Sequence, residues 1–232
     1  MKSYTAQTCG GIQTMSLLEI RKTMKHTLLF TCSLIAAFGL SANADTYNGN
    51  GDTSFGGPVG NGNLVVSDDG ANITFTLNSS GSLGGNDLVI YIDSILGGFS
   101  STTGFQDDAD GGRSAVSGYS GSGQSVLTFA DGFLPDYAID VGNTYASLFE
   151  LANGGANSLS YITGASQSSS SPYSLTLSLA DLGLTPGAGQ SLKLFGTLIS
   201  ETGYRSTEAI AGDDSGSAGW NTFIQTSDVT YS

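Results

Sequence analysis

The chain has 232 residues, 20 of them acidic against seven lysines and arginines, for a formal net charge of −13. A charge of that sign and size repels phosphate backbones and anionic lipid, which argues against nucleic acid and membrane surfaces as partners. Only two cysteines and one histidine are present, Cys9, Cys32 and His26, so a disulfide framework or a zinc site has almost nothing to build on.

Residues 1–23 carry Lys2, Cys9, Arg21 and Lys22 and suggest no clear element. They read as an upstream extension, with translation starting at Met24, or as a long n-region. Residues 24–44 read as a signal peptide. Lys25 and His26 supply charge, 27–40 is an apolar run, and Ser41-Ala42-Asn43-Ala44 is an A-x-A cleavage signature. The run falls short of the about 20 residues a membrane span needs. Cleavage after Ala44 predicts an exported protein starting at Asp45, secreted to the periplasm or the exterior, with no membrane insertion afterwards. Residues 45–232 keep Arg113, Lys193 and Arg205 against 19 acidic residues, a formal charge of −16. They keep no histidine and no cysteine, which removes Ser-His-Asp triads, cysteine nucleophiles and His/Cys zinc sites. The expectation is a single domain that is not an enzyme.

Along that domain the hydrophobic period is two. Ile73, Phe75 and Leu77 alternate with threonines. Leu88, Ile90 and Ile92 alternate with Val89, Tyr91 and Asp93, which predicts a central strand apolar on both faces. Leu175, Leu177 and Leu179 form a third alternating set. Leu192, Leu194 and Leu198 form a fourth. Shorter strands are expected at 63–67, 125–130, 137–141, 145–151, 158–163 and 222–231. Between them lie turn clusters such as Asp68-Asp69-Gly70 and Asn153-Gly154-Gly155. Roughly ten short strands at this spacing predict an all-β fold, a single antiparallel β-sandwich of jelly-roll type. No amphipathic helix is evident; 180–184 suggests one helical turn. Residues 97–123 and 200–219 read as long loops, and 166–171 as a low-complexity loop tip.

Four strings carry a resemblance: Asn86-Asp87-Leu88-Val89-Ile90-Tyr91-Ile92-Asp93 followed by Gly97-Gly98-Phe99; Phe129-Ala130-Asp131-Gly132-Phe133; Asp136-Tyr137-Ala138-Ile139; and Leu179-Ala180-Asp181-Leu182-Gly183-Leu184-Thr185-Pro186-Gly187. Over about 86–198 the chain resembles DOMON-like and family-9-like carbohydrate-binding sandwiches. It looks closest to uncharacterised exported bacterial proteins that often carry a PEP-CTERM-type anchor. The resemblance implies a secreted β-sandwich that binds carbohydrate. No Pro-Glu-Pro motif, apolar helix or basic tail precedes Ser232, so the anchor is not part of the expectation.

Calcium needs only oxygen ligands, and Asp107, Asp108 and Asp110 before Gly111 form a candidate site; a plain acidic turn is the alternative. Asn48, Asn50 and Asp52 show a similar alternation. Arg113 and Arg205 are scarce cations in acidic surroundings, which predicts structural ion pairs with Asp108, Asp110 or Glu208. Tyr119, Tyr204 and Trp220 are candidate faces for a sugar ring, with burial in the core as the competing reading. A carboxylate glycosidase would draw on Glu150, Glu201 or Glu208, though nothing pairs them by spacing. The preferred reading is a non-catalytic domain binding polysaccharide or glycan. The alternative is a structural or matrix protein of the cell surface. The two long loops are expected to share one rim of the sandwich.

Overall fold

In a computed structural model the described residues are 4–8, 11–15, 43–187, 189 and 191–232. The described residues fall into two units, divided between 39 and 40. In the first, β1 (Tyr4–Thr8) pairs antiparallel with β2 (Gly11–Met15). This hairpin corrects the expectation of no element in 1–23; β-branched Thr5, Thr8, Ile12 and Thr14 favour it. The signal segment lies outside the described residues, except that Asn43 and Ala44 begin β3 (Asn43–Asn48).

The second unit is a β-sandwich. Its smaller sheet has four antiparallel strands in the order β11-β5-β4-β3, where β4 is Asn63–Asp68, β5 Asn72–Asn78 and β11 Tyr173–Ser178. The larger has nine strands. Its main path runs β10 (Ser160–Ser166), β9 (Tyr145–Glu150), β8 (Tyr137–Val141), β6 (Asn86–Asp93), β12 (Leu192–Ser200), β15 (Thr222–Tyr231) and β14 (Gly212–Ser215). Off that path, β13 (Arg205–Ile210) pairs with β12, and β7 (Val126–Thr128) runs parallel to β15. The sandwich expectation holds. A division into nine and four strands does not establish the jelly-roll form, which has eight strands in two Greek keys.

Alternation decides which side chains meet. Leu64, Val66, Ile73, Phe75, Leu77, Leu175 and Leu177 from the small sheet pack on Leu88, Ile90, Ile92, Ile139, Leu194 and Leu198 from the large one. A second core lies on the other face of the large sheet, where Val89, Tyr91, Phe149, Phe195 and Phe223 meet Phe105, Val116, Leu127, Phe129 and Phe133. The central strand β6 is therefore apolar on both faces because it serves two cores. Every core residue predicted from alternation is buried, including Leu179.

The second core is covered by segments expected to be irregular. Within 97–123 lies α1 (Gly111–Ser117), which buries Ser114, Ala115, Val116 and Ser117. Its N-cap is Asp110, whose carboxylate accepts Arg113 N–H at 2.9 Å, and Gly118 closes it in the left-handed region. At seven residues it is too short for a periodicity window to register. β13 and β14 correct the expectation of a loop over 200–219. A one-turn 3-10 helix, Leu179–Leu182, stands at the expected turn, with a capping box between Ser178 and Asp181. Among the described residues no helix is long and apolar enough to cross a membrane.

Candidate functional site

The two long segments do meet at one rim. Gly203 lies so close to Gly118 that an added Cβ would fall 2.5 Å from the Gly118 carbonyl oxygen. Trp220 rests on Gly123, and Glu201 on Gly111. Trp220 is 51% exposed, donates Nε1–H to the Thr202 carbonyl at 3.2 Å and meets Tyr204 edge-on at 5.2 Å. Tyr204 in turn stacks on Phe55 at 6.0 Å. Tyr119 is half-buried and donates its hydroxyl to the Gly121 carbonyl at 3.3 Å. Of the three predicted ligand aromatics, then, Trp220 alone presents a largely open ring.

The two arginines part company. Arg113 pairs with Asp110 and, at 3.4 Å, with Asp107, while its guanidinium lies 5.0 Å from the centroid of Phe149. Asp107 thus takes the place expected for Asp108. The expected ion pair between Arg205 and Glu208 is not formed. Residues three apart share a helix face but point to opposite faces of a strand, and both lie on β13. Arg205 is fully buried, its guanidinium 5.8 Å from the centroid of Phe223; among the described residues no carboxylate lies within 4.0 Å of it and its three side-chain nitrogens have no hydrogen-bond partners. Nearby, burial pushes Asp214 up to about 7, and the Arg205 charge opposes that shift. Glu208 points the other way and accepts four backbone N–H groups: Phe55 at 2.8 Å, Gly57 at 3.0 Å, and Val59 and Gly60 at 3.1 Å.

Two of the three candidate calcium ligands, Asp107 and Asp110, are engaged by the chain itself. Asp107 is buried and accepts N–H from Asn157 at 2.8 Å, Leu159 at 2.9 Å and Ala109 at 3.2 Å, besides pairing with Arg113. Asp110 caps α1, and Asp108 is exposed. Asn50 is likewise engaged, donating to Thr207 and Asp213. Among the described residues no group of three or more acids, histidines or cysteines is placed to hold a metal ion.

A different cluster emerges from strand register. On β6 and β8, Val89 stands opposite Asp140, so Asp87, two residues along the same face, is Asp140's diagonal neighbour. Ser147 on β9 is opposite Asp140, and Tyr161 on β10 is opposite Phe149. Glu201 follows β12. The start of α1 closes the other side, with Asp110, Gly111, Gly112 and Arg113. These residues line a cleft of about 370 Å³, with Asn143, Thr144 and Tyr145 at the β8–β9 turn.

Asp87 and Asp140 are 3% and 6% exposed, diagonal neighbours on adjacent strands, so ionising both at once is costly. Burial, then the Glu201 charge, pushes Asp87 up; burial, then Asp87 itself, then Asp110 and Glu201, push Asp140 well above the usual carboxylate range. Asp140 Oδ1 has no hydrogen-bond partner. Its Oδ2 lies against Gly112, where a Cβ would fall 2.5 Å away, so only glycine lets the helix start approach this carboxyl. Tyr145 and Tyr161 are 43% and 47% exposed and share a hydroxyl–hydroxyl hydrogen bond of 3.0 Å. The arrangement offers aromatic faces beside a buried acid pair, with amide and hydroxyl groups between them. The sequence signal for it is an acid inside an otherwise apolar strand: Asp140 in Tyr137–Val141, all five residues buried.

In comparisons with known proteins, no family model, curated protein or solved structure matches the chain.

Proposed function

We propose that the domain is an exported, non-catalytic binding module and that a saccharide occupies the cleft between α1 and strands β6, β8, β9 and β10. The carrying observation is the pair Tyr145 and Tyr161, two exposed, mutually hydrogen-bonded rings beside a floor of buried carboxyls. Sugars present C–H faces to aromatic rings and hydroxyls to carboxylates and amides, and this cleft displays both chemistries side by side. The resemblance of 86–198 to carbohydrate-binding sandwiches points the same way, as does the signal-like order of 24–44 for export. A matrix protein without a ligand would have no use for exposed rings at a concave site.

The acid pair invites comparison with a glycosidase, whose two carboxyls stand about 5–10 Å apart with the scissile bond between them. Asp87 and Asp140 are diagonal neighbours on adjacent strands and are both buried, which leaves a sugar ring no way in between them. Binding is therefore favoured over hydrolysis. Calorimetric titration of the full chain against a panel of soluble polysaccharides tests the proposal. At least one should bind, and Tyr145→Ala and Tyr161→Ala should each weaken it about tenfold, ~1.4 kcal/mol. Absence of binding to every polysaccharide, or binding indifferent to both tyrosines, would overturn it.

A further inference from the structure

We infer that the saccharide held in the cleft is cationic, a glycan of amino sugars whose ammonium groups approach Asp87, Asp140 and Glu201 beside the rings of Tyr145 and Tyr161. This rests on the saccharide reading above and adds the ligand's charge to it.

Charge balance is the first ground. Asp87, Asp110, Asp140 and Glu201 line the cleft against a single cation, Arg113, and Arg113 is already committed to Asp107 and Asp110. Asp87, Asp140 and Glu201 are left without a positive partner among the lining residues. Like charges crowded at a partly desolvated surface repel strongly, and a ligand cation relieves that repulsion where a neutral hydroxyl does not.

Unused acceptor capacity is the second and independent ground. Two other buried acids are satisfied by the chain's own N–H groups: Glu208 takes four, and Asp107 takes three together with Arg113. Asp140 is as deeply buried and lines the cleft, yet its Oδ1 meets no donor. An ammonium carries three donors and no acceptor, the complement of that oxygen and its neighbours.

The third ground is the rings. Cations are drawn to aromatic faces, and the exposed Tyr145 and Tyr161 stand at the same opening as the carboxyls. An acetylated amino sugar loses both attractions, because its nitrogen is neutral.

Protons link to this binding in a defined direction. The groups facing the site are Asp87, Asp140, Glu201, Asp110, Arg113, Tyr145 and Tyr161. An arriving ammonium favours the ionised acid pair, so binding expels a proton into buffer. Affinity should rise with pH through the range where the free pair still holds its proton, and fall where the ligand's own amine deprotonates.

The test is titration of the full chain with four probes: a β-1,4-linked glucosamine tetramer, its N-acetylated counterpart, a glucose tetramer and tetralysine. The amine tetramer should bind at least about tenfold tighter than the other three, with the advantage shrinking in high salt. Heats in buffers of different ionisation enthalpy should show net proton release. Glu201→Gln, at an exposed side chain, should cut affinity for the amine tetramer but not for a neutral sugar; Asp87→Asn should also abolish the proton release. If all three sugars bind equally, the cationic inference fails while the saccharide reading stands. If no sugar binds, both fail. If tetralysine matches the amine tetramer, the assignment to a sugar is overturned.

Discussion

Glu208 and Asp140 both belong to the large sheet system, and both are almost wholly removed from solvent. Around Glu208 the chain has folded a loop, 55–60, whose backbone N–H groups converge on the carboxylate. Around Asp140 it has placed another acid, glycine backbone and the mouth of a cleft. The first arrangement saturates a buried carboxylate and ties distant segments together. The second leaves an acceptor without a donor and raises the pKa of the acid pair. Burial of an acid is therefore uninformative by itself; donors aimed at it mark a structural carboxylate, and an acceptor without donors at the mouth of a cleft marks one a ligand can use.

The comparison can be broken most forcefully at Glu208. Glu208→Ala should strip four N–H groups of their acceptor and cost about 5 kcal/mol in urea unfolding, with the 55–60 loop losing hydrogen-exchange protection first. A loss below about 1 kcal/mol would mean that this acid is no more structural than Asp140. Core truncation gives a reference for scale. Ile90→Ala and Leu177→Ala, on facing sheets, should each cost about 3 kcal/mol, and unchanged melting temperatures in both would show the registers to be wrong.

The smallest and most specific effect concerns pH. Asp87, Asp140 and Asp214 all have carboxyl pKa values raised in the folded state, so the native protein holds protons that the unfolded chain releases. Their contribution to stability is full below the ordinary carboxylate value and is lost as pH rises through the folded values. For Asp214 that window runs from 3.8 to about 7. Stability measured by denaturation should therefore decline with rising pH across this range. Asp140→Asn mimics the protonated acid and should flatten part of the slope at little cost in stability near neutral pH. A slope identical to the parent would place the proton elsewhere.

Much of the fold was legible because a strand with one buried face writes its period into the sequence. Ile73-Phe75-Leu77 and Leu175-Leu177 show this on β5 and β11, which are direct partners in the small sheet. β13 was hidden by its own composition: Arg205 and Glu208 are buried on opposite faces, so the usual equation of polar with outward fails there. α1 was hidden by its brevity and its two leading glycines. The rim was legible from two long glycine-rich segments. The cleft was not, since Asp87, Asp140, Tyr145 and Tyr161 come from four strands and Glu201 from the end of a fifth, and only their pairing order makes neighbours of them. Arg205 and Glu208 do not pair because nearness in sequence brings residues three apart together on a helix but sends them to opposite faces of a strand.

The position of β15 sets the pace at which all this forms. It pairs with β12, with β14 and, in parallel, with β7 almost a hundred residues earlier, while Tyr231 donates its hydroxyl to the Asn43 carbonyl across 188 positions. Glu208 closes its loop over separations of 148–153 residues. Chain entropy must be surrendered for each of these closures before its contacts return anything, so folding belongs to the milliseconds-to-seconds regime of non-local β topologies rather than to the microsecond regime of helical bundles. The large sheet cannot be completed until β15, residues 222–231, is in place.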